Sequence, residues 1–325
     1  MKKKLLLGAL LLLSITSFGI PAKRGLRTVT QPDGTVLTVQ KIGDEHAHYY
    51  VTSDNILLQK DEDGFFKYAI AKNGQLTSGD VIAKDPAART NAEMQYVRQI
   101  DQSSLFKTAQ SNRQKNMARR NSFSRSAAFP SKGEVNGLVL LVEFNDVRFK
   151  TANPQAAFTN HLNQENYTLN NATGSVRDYF IDQSSGSFRP KFDTYGPITL
   201  KKNMALYGGN DNYGDDADPA GMVVDACQLA ASQFGVDFSK YDLDNNGIVD
   251  LVYVIYAGYG EAQSGIEDNI WPHAWDILGG GYKLNLNGKD IRSYACSSEL
   301  SGFTGTTLDG IGTLCHEFSH CLGLP

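Results

Sequence analysis

Two rhythms of apolar and polar residues divide the chain. From Arg24 to about Ala83, short β-favouring runs (Thr35 to Gln40, His48 to Thr52, Phe65 to Ile70) alternate with the turn signals Pro32-Asp33-Gly34, Ser53-Asp54-Asn55, Asp61-Glu62-Asp63-Gly64 and Lys72-Asn73-Gly74. That alternation predicts a small antiparallel meander within a mainly-β module over residues 20–100. Residues 101–130 change character: Gln, Ser, Asn, Arg and Lys dominate, and the stretch is expected to be a basic flexible linker. A second domain, over residues 131–325, has longer apolar runs. Val135 to Phe144 and Leu251 to Tyr256 predict buried strands, while Gly174 to Ser184 and Asp218 to Phe234 predict helices, the latter with Asp218 as N-cap and Pro219 at the first helical position. In the last segment Ile311, Leu314, Phe318 and Leu322 share one helical face, Gly323 suits a left-handed cap, and Pro325 cannot continue the helix. Strands interleaved with helices predict an α/β domain on a twisted sheet.

Composition narrows the classes. With 325 residues, 41% of them hydrophobic and 20% charged, the chain can fill two cores. A net charge of -4 and a pI near 5.9 give no reason to expect a nucleic-acid partner. Lys2, Lys3 and Lys4 precede the apolar run Leu5 to Leu13, and Ser17-Phe18-Gly19 offers small residues for cleavage after Gly19, so residues 1–19 read as a secretory signal peptide. The apolar run is too short to span a bilayer, no later segment qualifies, and no Cys lies near the cleavage site. An exported, extracellular product without a stable membrane anchor follows. Cys315 and Cys321 would lie about 9 Å apart along one helix, too far to bridge. Buried thiols, or one or two bridges involving Cys227 or Cys296, both remain open.

Chemistry concentrates in His316-Glu317-Phe318-Ser319-His320. Histidines at i and i+4 share one helix face, where two imidazoles can bind one Zn²⁺ while Glu317 handles a water proton. This is the pattern of a metalloprotease; the alternative is an amphipathic helix with surface histidines. In metzincin-type helices the Gly three residues after the second His turns the chain so that a residue six after that His returns as third ligand. Here that residue would follow Pro325, so the domain is expected to be truncated at its third zinc ligand. Asp242, Asp244, Asn246 and Asp250, with the carbonyl of Ile248, take the positions of an EF-hand-like calcium loop, although Tyr253 replaces the bidentate Glu. A surface Asx-rich turn is the other reading. His46-Ala47-His48 and His273 fit strand packing and core packing better than further metal sites.

Gly174 to Phe180, Tyr241 to Glu261, Ile270 to Trp275, Tyr294 to Leu300 and Asp309-Gly310-Ile311-Gly312 leading into His316 together resemble the secreted bacterial metalloproteases of the immune inhibitor A type. The resemblance covers Val135 to the end and, more loosely, the N-terminal module. It implies a zincin-like catalytic fold, synthesis as a secreted zymogen and structural calcium. It also implies that His316 and His320 are zinc ligands, that Glu317 is the general base, and that an Asp ligand follows Pro325.

The resulting expectation is a secreted zinc endopeptidase acting on proteins or peptides, with a water held on zinc and Glu317 as general base, inactive as this fragment alone. A secreted zinc- or calcium-binding or adhesion protein without catalysis is the rival. Residues from about Ile20 to Ser126 would form a removable inhibitory pro-region, cut at Arg119-Arg120 or Arg125. No Cys precedes Cys227, so any group that blocks the metal must be a carboxylate or a histidine, unless occlusion is purely steric.

Overall fold

A computed structural model describes residues 20–124, 129–211 and 214–324. The expected signal peptide and Arg125 lie outside the described residues. Six strands, β1 (Arg27–Thr30), β2 (Val36–Asp44), β3 (Ala47–Thr52), β4 (Leu57–Lys60), β5 (Phe66–Lys72) and β6 (Gln75–Ile82), form one sheet in sequence order, antiparallel throughout. The turns work through their Asx side chains: Asp33 accepts the Thr35 N–H at 2.9 Å and Asp61 the Phe65 N–H at 2.8 Å. One cluster, Leu37, Val39, Phe66 and Tyr68, meets Tyr96 and Val97 of α1 (Asn91–Gln99). A second, Val51, Leu57, Ala69 and Leu76, meets Leu105 and Ala109 of α2 (Gln102–Ser124).

Helix α2 corrects the linker expected at residues 101–130. No Gly or Pro falls between Gln102 and Ser124, and Ala, Leu, Lys, Arg, Gln and Met sustain a helix well. Leu105 and Ala109, one turn apart, are buried against the sheet, and this tertiary contact outweighs the polar composition.

The second domain runs through β7 (Gly133–Glu143), α3 (Pro154–Asn163), α4 (Val176–Gln183), β8 (Phe188–Thr199), α5 (Ala205–Gly208), α6 (Pro219–Phe234), β9 (Ile248–Val249), β10 (Val252–Tyr259), α7 (Glu261–Ser264), β11 (His273–Asp276), β12 (Leu284–Leu286), β13 (Lys289–Ile291), β14 (Ser293–Leu300) and α8 (Ile311–Cys321). Its main sheet has the order β11-β14-β10-β7-β8, parallel except for the edge strand β11. Parallel strands covered on both faces need continuous apolar runs, and β7 supplies one. Leu138, Leu140 and Val142 point to the layer holding α6, while Val139 and Leu141 point to the layer holding α3, α4 and α8. A small sheet of β12, β13 and β9 packs at one side. Helix α6 begins as expected, with Asp218 accepting the Gly221 N–H at 3.0 Å and Pro219 in the first turn, and ends at Gly235 in the left-handed conformation.

The N-terminal sheet docks onto this domain around α7. The Lys23 N–H donates to the Ala262 carbonyl at 2.7 Å, and Lys60 pairs with Glu267 at 2.7 Å. At the centre Lys41 of β2, 2% exposed, forms a buried ion pair with Glu261, and its ammonium sits over the Tyr50 and Trp271 rings. His48 stacks on Trp271 with centroids 4.3 Å apart.

Candidate metal centre

Helix α8 is fixed by its apolar face. Leu314, Cys315 and Phe318 are buried, and the Phe318 ring lies 5.1 Å from Phe129, 5.1 Å from Phe180 and 5.4 Å from Phe192. With Phe318 seated there, the roll of the helix is set and His316 and His320 face the cleft. The helix closes with a Schellman motif: the Gly323 N–H donates to the His320 carbonyl at 3.0 Å, the Leu324 N–H to the Ser319 carbonyl at 3.1 Å, and Gly323 has φ 85°. The last turn is therefore capped, with the second histidine inside it.

The two imidazoles present Nε2 to Nε2 at 3.1 Å, with ring planes at 87°. A third group joins them from the other module. Glu45 places Oε1 3.9 Å from each Nε2, and Glu45, His316 and His320 form a three-residue cluster able to hold a metal ion. Tetrahedral zinc with bonds of about 2.0–2.1 Å requires donor atoms roughly 3.3–3.4 Å apart. Edges of 3.1, 3.9 and 3.9 Å bracket that value, so a nitrogen, nitrogen, oxygen donor set of the right chemistry fits around one zinc with small side-chain adjustments.

Glu45 reaches this position through a tight hairpin. The β2–β3 register pairs Asp44 with Ala47, leaving Glu45-His46 as a two-residue turn. Gly43 adopts φ +107°, and a Cβ there would lie 2.2 Å from the Ala47 carbonyl oxygen, so the close approach of the strands requires glycine. Asp44 accepts the His46 N–H at 3.0 Å and the Arg113 Nε–H of α2 at 2.6 Å, while Asn116 donates to the His46 carbonyl at 2.8 Å. Glu45 itself is 4% exposed. A cavity of about 360 Å³ opens beside it, lined from the N-terminal side by His48 and Arg119 and from the other by Asp216, Trp271 and Trp275.

Glu317 lies on the same turn of α8, fully buried, and is not one of the three clustered donors. His273 takes no part either: its Nδ1 lies 2.7 Å from the Trp271 carbonyl and its Nε2 2.8 Å from the Tyr294 hydroxyl, which makes it a packed core residue. None of the four cysteines is joined in a disulfide. Sequence reasoning missed Glu45, which lies far from the histidines in the chain and in no recognisable motif.

In the loop from Asp242 to Asp250 the oxygens are engaged internally. Asp242 accepts the Asn246 and Gly247 N–H groups at 2.9 and 3.0 Å and pairs with Lys289 at 2.6 Å. Asn246 accepts the Ile248 N–H at 2.8 Å, Asp244 accepts the Asn246 N–H at 3.1 Å, and Asp250 accepts the Leu243 N–H at 2.7 Å. Burial, helped by Asp244 and Asp242, pushes the Asp250 carboxyl up to about 6.

Residues 131–325 match the model of the immune inhibitor A peptidase M6 catalytic domain. Among curated proteins the chain is similar to the pre-pro-metalloprotease PrtV of two Vibrio cholerae serotype O1 strains, M66-2 and ATCC 39315 / El Tor Inaba N16961. Identity is 26% over 173 residues, covering 46% of this chain and 18% of each relative. The chain thus spans about a fifth of the length of the curated relatives it matches.

Proposed function

This chain belongs to the immune inhibitor A family of M6 peptidases, and on that premise we propose that it is the zymogen stage of a secreted zinc-dependent endopeptidase with a zincin-like catalytic domain. The observation that carries this reading is the pair of Nε2 atoms 3.1 Å apart on α8 with Glu317 buried between them in sequence. His316 and His320 hold the metal. When bound, zinc supplies a Lewis acid that polarises the scissile carbonyl. Glu317 takes a proton from the attacking water and passes it to the leaving amine. Its burial keeps bulk water from that carboxylate, so the proton it holds is delivered to the substrate. Residues from about Ile20 to Ser126 act as the inhibitory pro-region, and cleavage at Arg119-Arg120 or Arg125 releases it.

A metal-binding or adhesion protein without catalysis is the second reading. Glu317 argues against it, because a purely structural zinc site needs no general base. Calcium at Asp242, Asp244, Asn246, Ile248 and Asp250 is a further element of the proposal; there Ca²⁺ would displace the Lys289 ammonium from Asp242 and serve a structural role. Casein hydrolysis by the full-length, processed protein tests the catalytic reading. We expect chelator to abolish it and Glu317→Gln to lower it by about 10²–10⁴-fold or more while zinc stays bound. Hydrolysis that survives either treatment overturns it.

A further inference from the structure

Resting on the metallopeptidase reading above, we propose that Glu45 is a metal ligand that keeps the site latent: its carboxylate joins His316 and His320 on the metal and fills a corner that a substrate carbonyl needs. The geometry comes first. Glu45 is 4% exposed, and its Oε1 lies 3.9 Å from Nε2 of both His316 and His320, with the two Nε2 atoms 3.1 Å apart. A divalent cation at the centre of the triad draws these three donor atoms onto one point.

The turn is also built to hold Glu45 there. Gly43 permits the tight hairpin, Asp44 ties the turn to itself and to Arg113, and Asn116 fixes the His46 carbonyl. Both Arg113 and Asn116 belong to α2. The same helix packs against β11, with the Arg119 guanidinium 5.7 Å from the centre of the Trp275 ring. Strand β11 is the open antiparallel edge of the main sheet, where an extended peptide would add as a further strand. One helix therefore covers the peptide edge and clamps the turn that occupies the metal. With no cysteine before Cys227, a thiolate cannot serve as this blocking ligand. Arg113 is a positioning residue in this scheme, acting on the metal only through Asp44.

The test measures zinc affinity of the 325-residue chain by competition with a chromophoric chelator, together with the visible spectrum of the Co²⁺-loaded protein. At saturating zinc, affinity for a peptide hydroxamate is measured as well. We expect Glu45→Gln and Glu45→Ala to weaken zinc by at least about tenfold, since loss of even an outer partner of a ligand costs about 10–100-fold. Both should alter the Co²⁺ spectrum, and both should bind the hydroxamate at least about tenfold tighter than wild type. Arg113→Ala should move each readout in the same direction by less, whereas Glu62→Gln, a remote control, should move none. Metal-free melting temperatures keep a folding defect from being read as ligand loss. Zinc affinity unchanged by Glu45→Gln, or hydroxamate binding unchanged by Glu45→Ala, overturns the proposal. If wild type binds zinc no better than His316→Ala, the metallopeptidase reading itself fails, which is a distinguishable result.

Discussion

Helix α8 and the β2–β3 turn bring donor atoms within a few ångströms of each other, but they are held by different forces. Helix α8 is anchored by Leu314, Cys315 and Phe318 in an aromatic core, and each fully buried side chain of that size contributes about 1.5–3 kcal/mol. The turn is held by polar contacts: Arg113 to Asp44 with the arginine side chain 29% exposed, and Asn116 to the His46 carbonyl. Partly exposed pairs of this kind are worth about 0–1 kcal/mol each. On the zymogen reading proposed above, the core-anchored half would persist through maturation, whereas the half fastened by polar contacts would leave. The difference teaches that permanence and release at one metal can be divided between two modules by the kind of contact each makes.

The buried Lys41–Glu261 pair is the exception on the releasable side, and breaking it has the largest expected effect on docking. Removing one partner of a buried pair leaves the other uncompensated at about 3–5 kcal/mol. After a cut between residues 104 and 132, Lys41→Met should make the N-terminal module dissociate from the catalytic domain at least about a hundredfold more readily, read by gel filtration. Lys41→Met combined with Glu261→Gln should recover much of the association, because no charge then stays buried alone. A Lys41→Met module that co-elutes as tightly as wild type would mean that the interface depends on its apolar contacts, and the contrast between the modules would weaken.

The core-anchored side has its own weak point in acid. His161 on α3 is buried against the edges of Phe158 and Tyr167, and burial holds its imidazole down to about 4. In the unfolded chain the imidazole takes a proton near pH 6.5. The unfolded state therefore binds the extra proton between pH 6.5 and 4, and stability that is complete above 6.5 falls as pH drops through that window, by up to about 3 kcal/mol. Urea denaturation across this range should show the slope, and His161→Phe should flatten it. A wild-type stability independent of pH there would place His161 in a wetter environment than its burial implies.

Calcium should have the smallest effect. Mass action on the folded state predicts a rise of a few degrees in melting temperature at millimolar Ca²⁺, lost in Asp244→Ala. Lys289→Met, which removes the competing ammonium from Asp242, should enlarge the response. A calcium-insensitive wild type would leave the loop as an Asx-rich turn closed by its own hydrogen bonds.

Much of this molecule was legible from local pattern. Regular turn spacing identified the meander, the apolar run of β7 a strand buried on both faces, Asp218-Pro219 the start of α6, and the i, i+4 histidines the face of α8. Helix α2 was not legible, because its polar composition resembles a tether and its two buried positions show only against the sheet. Glu45 was hidden more deeply. An acidic residue in a two-residue turn is ordinary, and nothing local marks it as a metal donor. Its position depends on a docked interface whose contacts are scattered over Lys23, Lys41, His48 and Lys60. Absence of an early cysteine restricted the blocking group to a carboxylate or a histidine, and local pattern could carry the reasoning no further.

The most direct measurement is the anomalous difference map of a crystal of the zinc-loaded chain, collected at the zinc edge. We expect one strong peak within about 2.0–2.2 Å of His316 Nε2, His320 Nε2 and a Glu45 carboxylate oxygen. A peak bound by other residues, or no peak at the histidine pair under zinc saturation, would contradict the assignment of this cluster as the metal centre.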